Sequence, residues 1–187
     1  MKRLSPIAAL LFVVLLLQNC KKDTFTATSY TNNTLFALIN DTTWTPDTIN
    51  ASITYNLAAK TKIFSFSGIA LNKEVNISVT QNNAGNTPGF TLGTYSVNNT
   101  SNVVMTYFNE QKNAQGNYVL TQRGTVAPGS GTIIITAVDS VKKVITGTFS
   151  FSSKGTNYDN NGNFVSFYNA NIFSGAFNNM PYTFVSN

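Results

Sequence analysis

The stretch GTIIITAVDSVKKVITGTFSFS, residues 131–152, decides the fold. Gly131–Val138 and Val144–Ser152 are two runs rich in β-branched and aromatic residues, joined by a turn around Asp139-Ser140-Val141-Lys142. In the second run Ile145, Phe149 and Phe151 share one parity, while Val144, Thr146, Thr148 and Ser150 take the other. A period of two with one apolar face is the signature of a strand half buried in a sheet. Two such runs across a short turn make an antiparallel hairpin.

The same pattern extends outward in both directions. Leu35–Asn40 predicts a strand, followed by a turn at Asn40-Asp41 and a short strand Thr43–Thr45 carrying Trp44. Ile49, Ala51, Ile53, Tyr55 and Leu57 alternate with Ser52, Thr54 and Asn56, inside against outside. Ile63–Leu71 places Phe64 and Phe66 on one face, and Val75–Thr80, Phe90–Val97, Val103–Phe108 and Tyr118–Arg123 follow. Beyond the hairpin come Phe164–Asn171, Ile172–Phe177 and Tyr182–Val185. Pro46, Pro88, Pro128 and Pro181 fall between strands, where the missing N–H breaks no ladder. No window carries a helical period. About ten strands in roughly 150 residues predict an all-β fold, an antiparallel β-sandwich or flattened barrel, over residues 34–187. Gly-Thr recurs at Gly93, Gly124, Gly131, Gly147 and Gly155, too irregularly spaced for a solenoid.

The chain opens with MKRLSPIAALLFVVLLLQNCKKD, which has the build of a bacterial export signal ending at a lipid-acceptor cysteine. Lys2 and Arg3 are its positive start, and Ile7–Leu17 is an apolar run too short for a bilayer, which needs roughly twenty residues. Leu17 stands three positions before Cys20, the only cysteine of the chain, although Gln18 and Asn19 are unusual before such a cysteine. Residues 1–19 are therefore expected to be cleaved, Cys20 to be lipidated, and residues 20–33 to be a flexible tether. Each buried methylene of an acyl chain contributes about 0.8 kcal/mol, so several chains hold firmly. Thirteen flexible residues span about 20 Å root-mean-square. The expected place is the outer membrane, lipid-anchored, on the cell-surface or periplasmic face.

Without residues 1–19, ten basic residues stand against seven acidic, a net of +3, and two of the ten are Lys21 and Lys22. Charged residues are 10% of the chain, against about 25% in ordinary soluble domains. Asn, Thr and Ser take their place, which suits strands and turns. No basic cluster adjoins an aromatic platform, so nucleic acid is not an expected partner.

Several stretches together resemble a Bacteroidota lipoprotein domain family of unknown function. They are the Trp44 hairpin, Gly93-Thr94-Tyr95, Gly131–Thr136, Val144–Phe151 and the closing Ser174–Tyr182. The resemblance covers most of residues 34–187. It implies an all-β fold and membrane anchoring, and supplies no active site.

Histidine is absent from all 187 residues, which removes Ser–His and Cys–His nucleophile pairs and imidazole metal ligands. Ser140-Val141-Lys142-Lys143 matches S-x-x-K formally, but that chemistry needs a helix start and these residues form a turn. Paired carboxylates could support glycoside hydrolysis. The candidates Asp41, Asp47, Glu74, Glu110, Asp139 and Asp159 read instead as solvated residues of turns and strand ends. Tyr158–Asn163 has its glycine at the fourth position, not the sixth of a calcium loop. A hairpin connection with a left-handed residue at Gly162 explains it better. No enzyme activity, cofactor or metal is expected.

Thr42, Thr48 and Ser140 each follow an Asp in the manner of O-glycan acceptor sites. Tyr158, Asp159 and Tyr168, with the loops expected at Gln81–Gly89, Asn109–Asn117 and Ser153–Asn163, are the candidate ligand residues. The expected role is a non-catalytic binding or interaction module with a membrane anchor and a protein or glycan partner. A lipocalin-like carrier of a small apolar ligand and a pilus-type structural subunit are the alternatives.

Overall fold

The computed structural model describes residues 34–113, 115–158 and 161–187. The expected signal, Cys20, the tether and Asp159 lie outside the described residues. Twelve strands follow in order: β1 (Leu35–Ile39), β2 (Thr42–Trp44), β3 (Thr48–Asn56), β4 (Thr61–Ala70), β5 (Lys73–Gln81) and β6 (Gly93–Ser96). Then come β7 (Val103–Lys112), β8 (Tyr118–Gln122), β9 (Gly131–Asp139), β10 (Val144–Tyr158), β11 (Phe164–Pro181) and β12 (Thr183–Ser186). They form two six-stranded sheets, β2-β1-β11-β10-β9-β6 and β12-β3-β4-β5-β7-β8.

The β9–β10 hairpin forms as its sequence predicts. The Asp139 carboxylate accepts from the N–H groups of Val141 (3.0 Å) and Lys142 (2.8 Å), and Lys143 closes the turn at φ 54°. The pairing register shifts between Thr146 and Gly147, where Thr136 is the extra residue on β9, while Ile145, Phe149 and Phe151 all face inward on the regular alternation of β10. Gly147 is required there by space. A Cβ would stand 2.1 Å from the Ile134 carbonyl oxygen and 2.4 Å from the ring of Phe177.

The two inner faces meet in one core. Phe66 lies 5.7 Å from Phe149 and 5.5 Å from Phe177, centroid to centroid, and Phe64 packs on Phe177 at 5.9 Å. Tilted and edge-on aromatic pairs at these distances add about 0.5–1.5 kcal/mol each beyond their buried area. Ile133, Ile135 and Ile145 from one sheet and Val75, Ile77, Val79 and Met105 from the other complete the layer. The sheets stay separate, so the sandwich holds and the flattened barrel does not. Their outer strands β2, β6, β12 and β8 are three to five residues long. Short outer strands limit edge-to-edge pairing.

Four expectations change. The strands number twelve, not about ten, and Phe90–Val97 contracts to β6 while Phe90 stays buried in the core. Leu57 is exposed because β3 ends at Asn56 and the chain turns before the inward parity can continue. Phe164–Asn171 and Ile172–Phe177 are one strand, β11, because bulges absorb the break in alternation. Finally, β12 pairs with β3 in parallel, Thr183 opposite Ser52 and Phe184 opposite Ile53. Every other paired strand is antiparallel.

Candidate functional site

The two longest strands outrun their sheet. β9 covers β10 only from Val144 to Phe151, and β1 covers β11 only from Ile172 to Phe177. Ser152–Tyr158 and Phe164–Asn171 pair with each other beyond the neighbouring strands, with only single backbone contacts to other segments near their base. They form a two-stranded ribbon about 20 Å long at roughly 3.3 Å per residue. The expected loop at Ser153–Asn163 is therefore mostly strand. Gly162 has φ 81°, the left-handed conformation expected of it.

A bare two-stranded ribbon is marginal in water, and this one is clamped at its base by Arg123 and the residues after it. The buried Ser153 hydroxyl donates to the Arg123 carbonyl oxygen. Thr125 and Lys154 exchange backbone bonds of 2.9 and 3.0 Å. The Arg123 guanidinium lies 4.1 Å over the Tyr168 ring, and its Nη2 donates to Asn157 Oδ1 at 3.4 Å. Arg123 N–H also donates to the Tyr107 carbonyl at 2.8 Å, tying the ribbon to the second sheet. Burial raises the Tyr107 hydroxyl above its ordinary pKa, and the Arg123 charge partly offsets that.

Tyr168 is thus a strand residue, not a loop residue. Its hydroxyl occupies the space above Gly155, where a Cβ would come within 2.1 Å of it. Sequence reading grouped it with ligand loops; the structure makes it part of the clamp. Tyr158 remains a surface residue, 64% exposed, at the ribbon tip opposite Phe164. Phe164 and Phe167 are 55% and 78% exposed, and their rings touch each other at 4.8 Å. With Val165 they make an exposed apolar surface on the ribbon. Sequence reading missed Phe164 and Phe167 as surface residues because a Phe in an alternating run reads as core. The only hint was that these strands are longer than their neighbours.

A second arm stands beside the clamp. β7 continues past β5, and β8 pairs with its end, Lys112 opposite Tyr118 and Phe108 opposite Gln122. Of the expected loop Asn109–Asn117, the first four residues are the end of β7. Tyr118, Val119 and Leu120 are exposed along it.

A family model described as a domain of unknown function, DUF6252, matches residues 31–181. The chain belongs to this family. No curated protein and no solved structure matches the chain. The matched residues of the DUF6252 domain stop just before β12 and contain the whole ribbon.

Elsewhere in the DUF6252 domain the predicted residues stay apart. Thr42 and Thr48 are exposed on β2 and at the start of β3, and Ser140 is exposed in the β9–β10 turn. The described carboxylates are scattered, and Glu110 lies within β7 opposite Leu120, inside a strand and not in a turn. Among the described residues no three Asp, Glu or Cys side chains gather as a metal site would require. On the outer face of the second sheet, Ser52, Ser65, Ser67, Asn76 and Ser78 floor an open groove of about 640 Å³. The Ser52 and Ser65 hydroxyls bond each other at 3.1 Å.

Proposed function

We propose that this chain is a non-catalytic binding module, held at the outer membrane by acyl chains on Cys20, that presents the aromatic ribbon to a protein partner. The observation that carries the reading is the exposed Tyr158–Phe164–Phe167 surface on a clamped two-stranded arm. Phe and Val side chains offer no hydrogen bonds to a sugar, whereas exposed aromatic rings are among the residue types enriched at protein–protein interfaces. Clamping lowers the ordering cost of association.

The position of the ribbon fits the anchor. Asn178 N–H bonds the Thr34 carbonyl at 2.9 Å, so the chain enters the domain beside the C-terminal part of β11. Phe164 begins the same strand, about 45 Å away at 3.3 Å per residue. A tether ending at Thr34 would attach at the end of β11 opposite the ribbon. Lys21-Lys22-Asp23 after Cys20 resembles the charged patch that biases Bacteroidota lipoproteins towards the cell surface. The lack of histidine and the scattered carboxylates favour binding over catalysis.

The test places a photo-crosslinking side chain at position 158 of the full chain in intact cells, with position 141, on the β9–β10 turn, as control. One discrete protein adduct at 158, absent at 141 and reduced at least tenfold by Phe164→Ala with Phe167→Ala, is expected. Equal labelling at both positions would sink the reading. Retention on envelopes that survives protease but not periodate would assign the ribbon to a glycan instead.

A further inference from the structure

At the other end of β7 from the β7–β8 arm lies a different kind of surface. Val103, the first residue of β7, borders an open pocket of about 810 Å³, within the range of small-ligand sites. Its walls are mostly neutral and polar, with Gln81, Asn98, Asn102 and Thr94 among them, and no Asp or Glu lines it.

Lys62 also lines this pocket, and its placement follows from strand parity. On β4 it shares the inward parity of Phe64 and Phe66, so the chain directs a cation towards the core side where the sandwich opens. The residue is 4% exposed. Its ammonium donates to Thr87 Oγ1 at 3.0 Å and to the Gly89 carbonyl at 2.8 Å. Both partners are uncharged, and they use two of its three N–H donors. Burial pushes the Lys62 amine below its ordinary pKa, as expected of a charge without a counterion. A buried cation with neutral partners is a poor way to fix a loop, since an apolar side chain of similar volume does so at lower desolvation cost. An incoming anion would supply the missing charge.

The rest of the pocket is arranged for hydroxyl groups. Tyr95 Oη donates to the Thr91 carbonyl at 2.7 Å and accepts from Gln81 Nε2 at 2.7 Å, so its ring is fixed at the rim. Side-chain amides offer both donors and acceptors, the pairing that sugar hydroxyls need.

We propose that this pocket is a site for a carboxylated sugar, with the Lys62 ammonium on the carboxylate and the amide and hydroxyl walls on the ring hydroxyls. The site is independent of the ribbon, and a failed ribbon experiment leaves it standing.

The experiment is calorimetric titration of the full chain in detergent with D-glucuronate, D-glucose, the methyl ester of glucuronate, and acetate. Glucuronate should bind at least tenfold more tightly than each of the others, and Lys62→Met should remove that advantage with the thermal midpoint retained. Lys62→Arg should keep part of it. No measurable glucuronate binding at millimolar concentration, or equal binding of the ester, would overturn the proposal. Acetate binding as tightly as glucuronate would overturn the sugar assignment. The comparison of glucuronate with its ester needs no variant, so it decides the question even if Lys62→Met does not fold.

Discussion

Single atoms decide several features of this domain, and Gly147 is the clearest. The ring of Phe177 and the Ile134 carbonyl occupy the place where any side chain would begin. Gly147→Ala should therefore destabilise the fold by about 2–3 kcal/mol, since overpacking forces backbone to move. Gly85, with nothing within 4 Å of a built Cβ, is the control. Gly85→Ala should stay within about 0.5 kcal/mol. Urea titration followed by Trp44, the only tryptophan and a fully buried one, measures both. Lys62 sets a pH dependence of definite sign. Its folded pKa lies below the ordinary 10.5, so between the two values the unfolded chain holds the extra proton and stability rises with pH. Burial raises the Tyr95, Tyr107 and Tyr182 hydroxyls above 10.0, so there the native chain keeps its protons and stability falls as pH climbs past 10. The urea midpoint should rise towards pH 10 and drop beyond it, and Lys62→Met should lose the rise alone.

At the scale of elements, the strands that matter most are those that exceed their neighbours. Alternation in Val144–Phe151 located β10 and its inward face, because that segment packs against the opposite sheet. The same alternation could not say that β10 continues to Tyr158, since Gly155-Thr156-Asn157 has the composition of a turn. What keeps those residues extended is long-range: Tyr168 filling the space over Gly155, and Arg123 stacked on Tyr168. Tyr168→Ala should loosen the ribbon and leave the sandwich intact. Amide exchange at residues 154–158 and 166–168 should accelerate at least tenfold, with β9 unchanged. Uniform acceleration across all strands would show that the ribbon is not a separate unit. The short outer strands carry a related lesson. Their lengths are set by where the chain must leave for the other sheet, which no local pattern records.

For the whole molecule, the fold class was legible from composition and period. With no disulfide available beyond Cys20, packing must hold the sheets together, and Phe64, Phe66, Phe149 and Phe177 do so from parities visible in the sequence. The proposed anchor at Cys20 belongs to this scale as well. Labelling with radioactive palmitate should mark the wild-type protein and vanish in Cys20→Ala; labelling that survives the substitution would remove the anchor. By itself, the sequence determined an all-β fold, sandwich or flattened barrel, and most of its inward faces, because side chains on a strand alternate whatever their partners. Only the tertiary structure decided the strand order, the parallel return of β12, the ribbon and the buried cation of Lys62. Each depends on which distant segment lies alongside, and a period of two carries no information about neighbours. A Phe or a Lys on the inward parity is core, exposed arm or pocket floor according to whether another strand continues beside it.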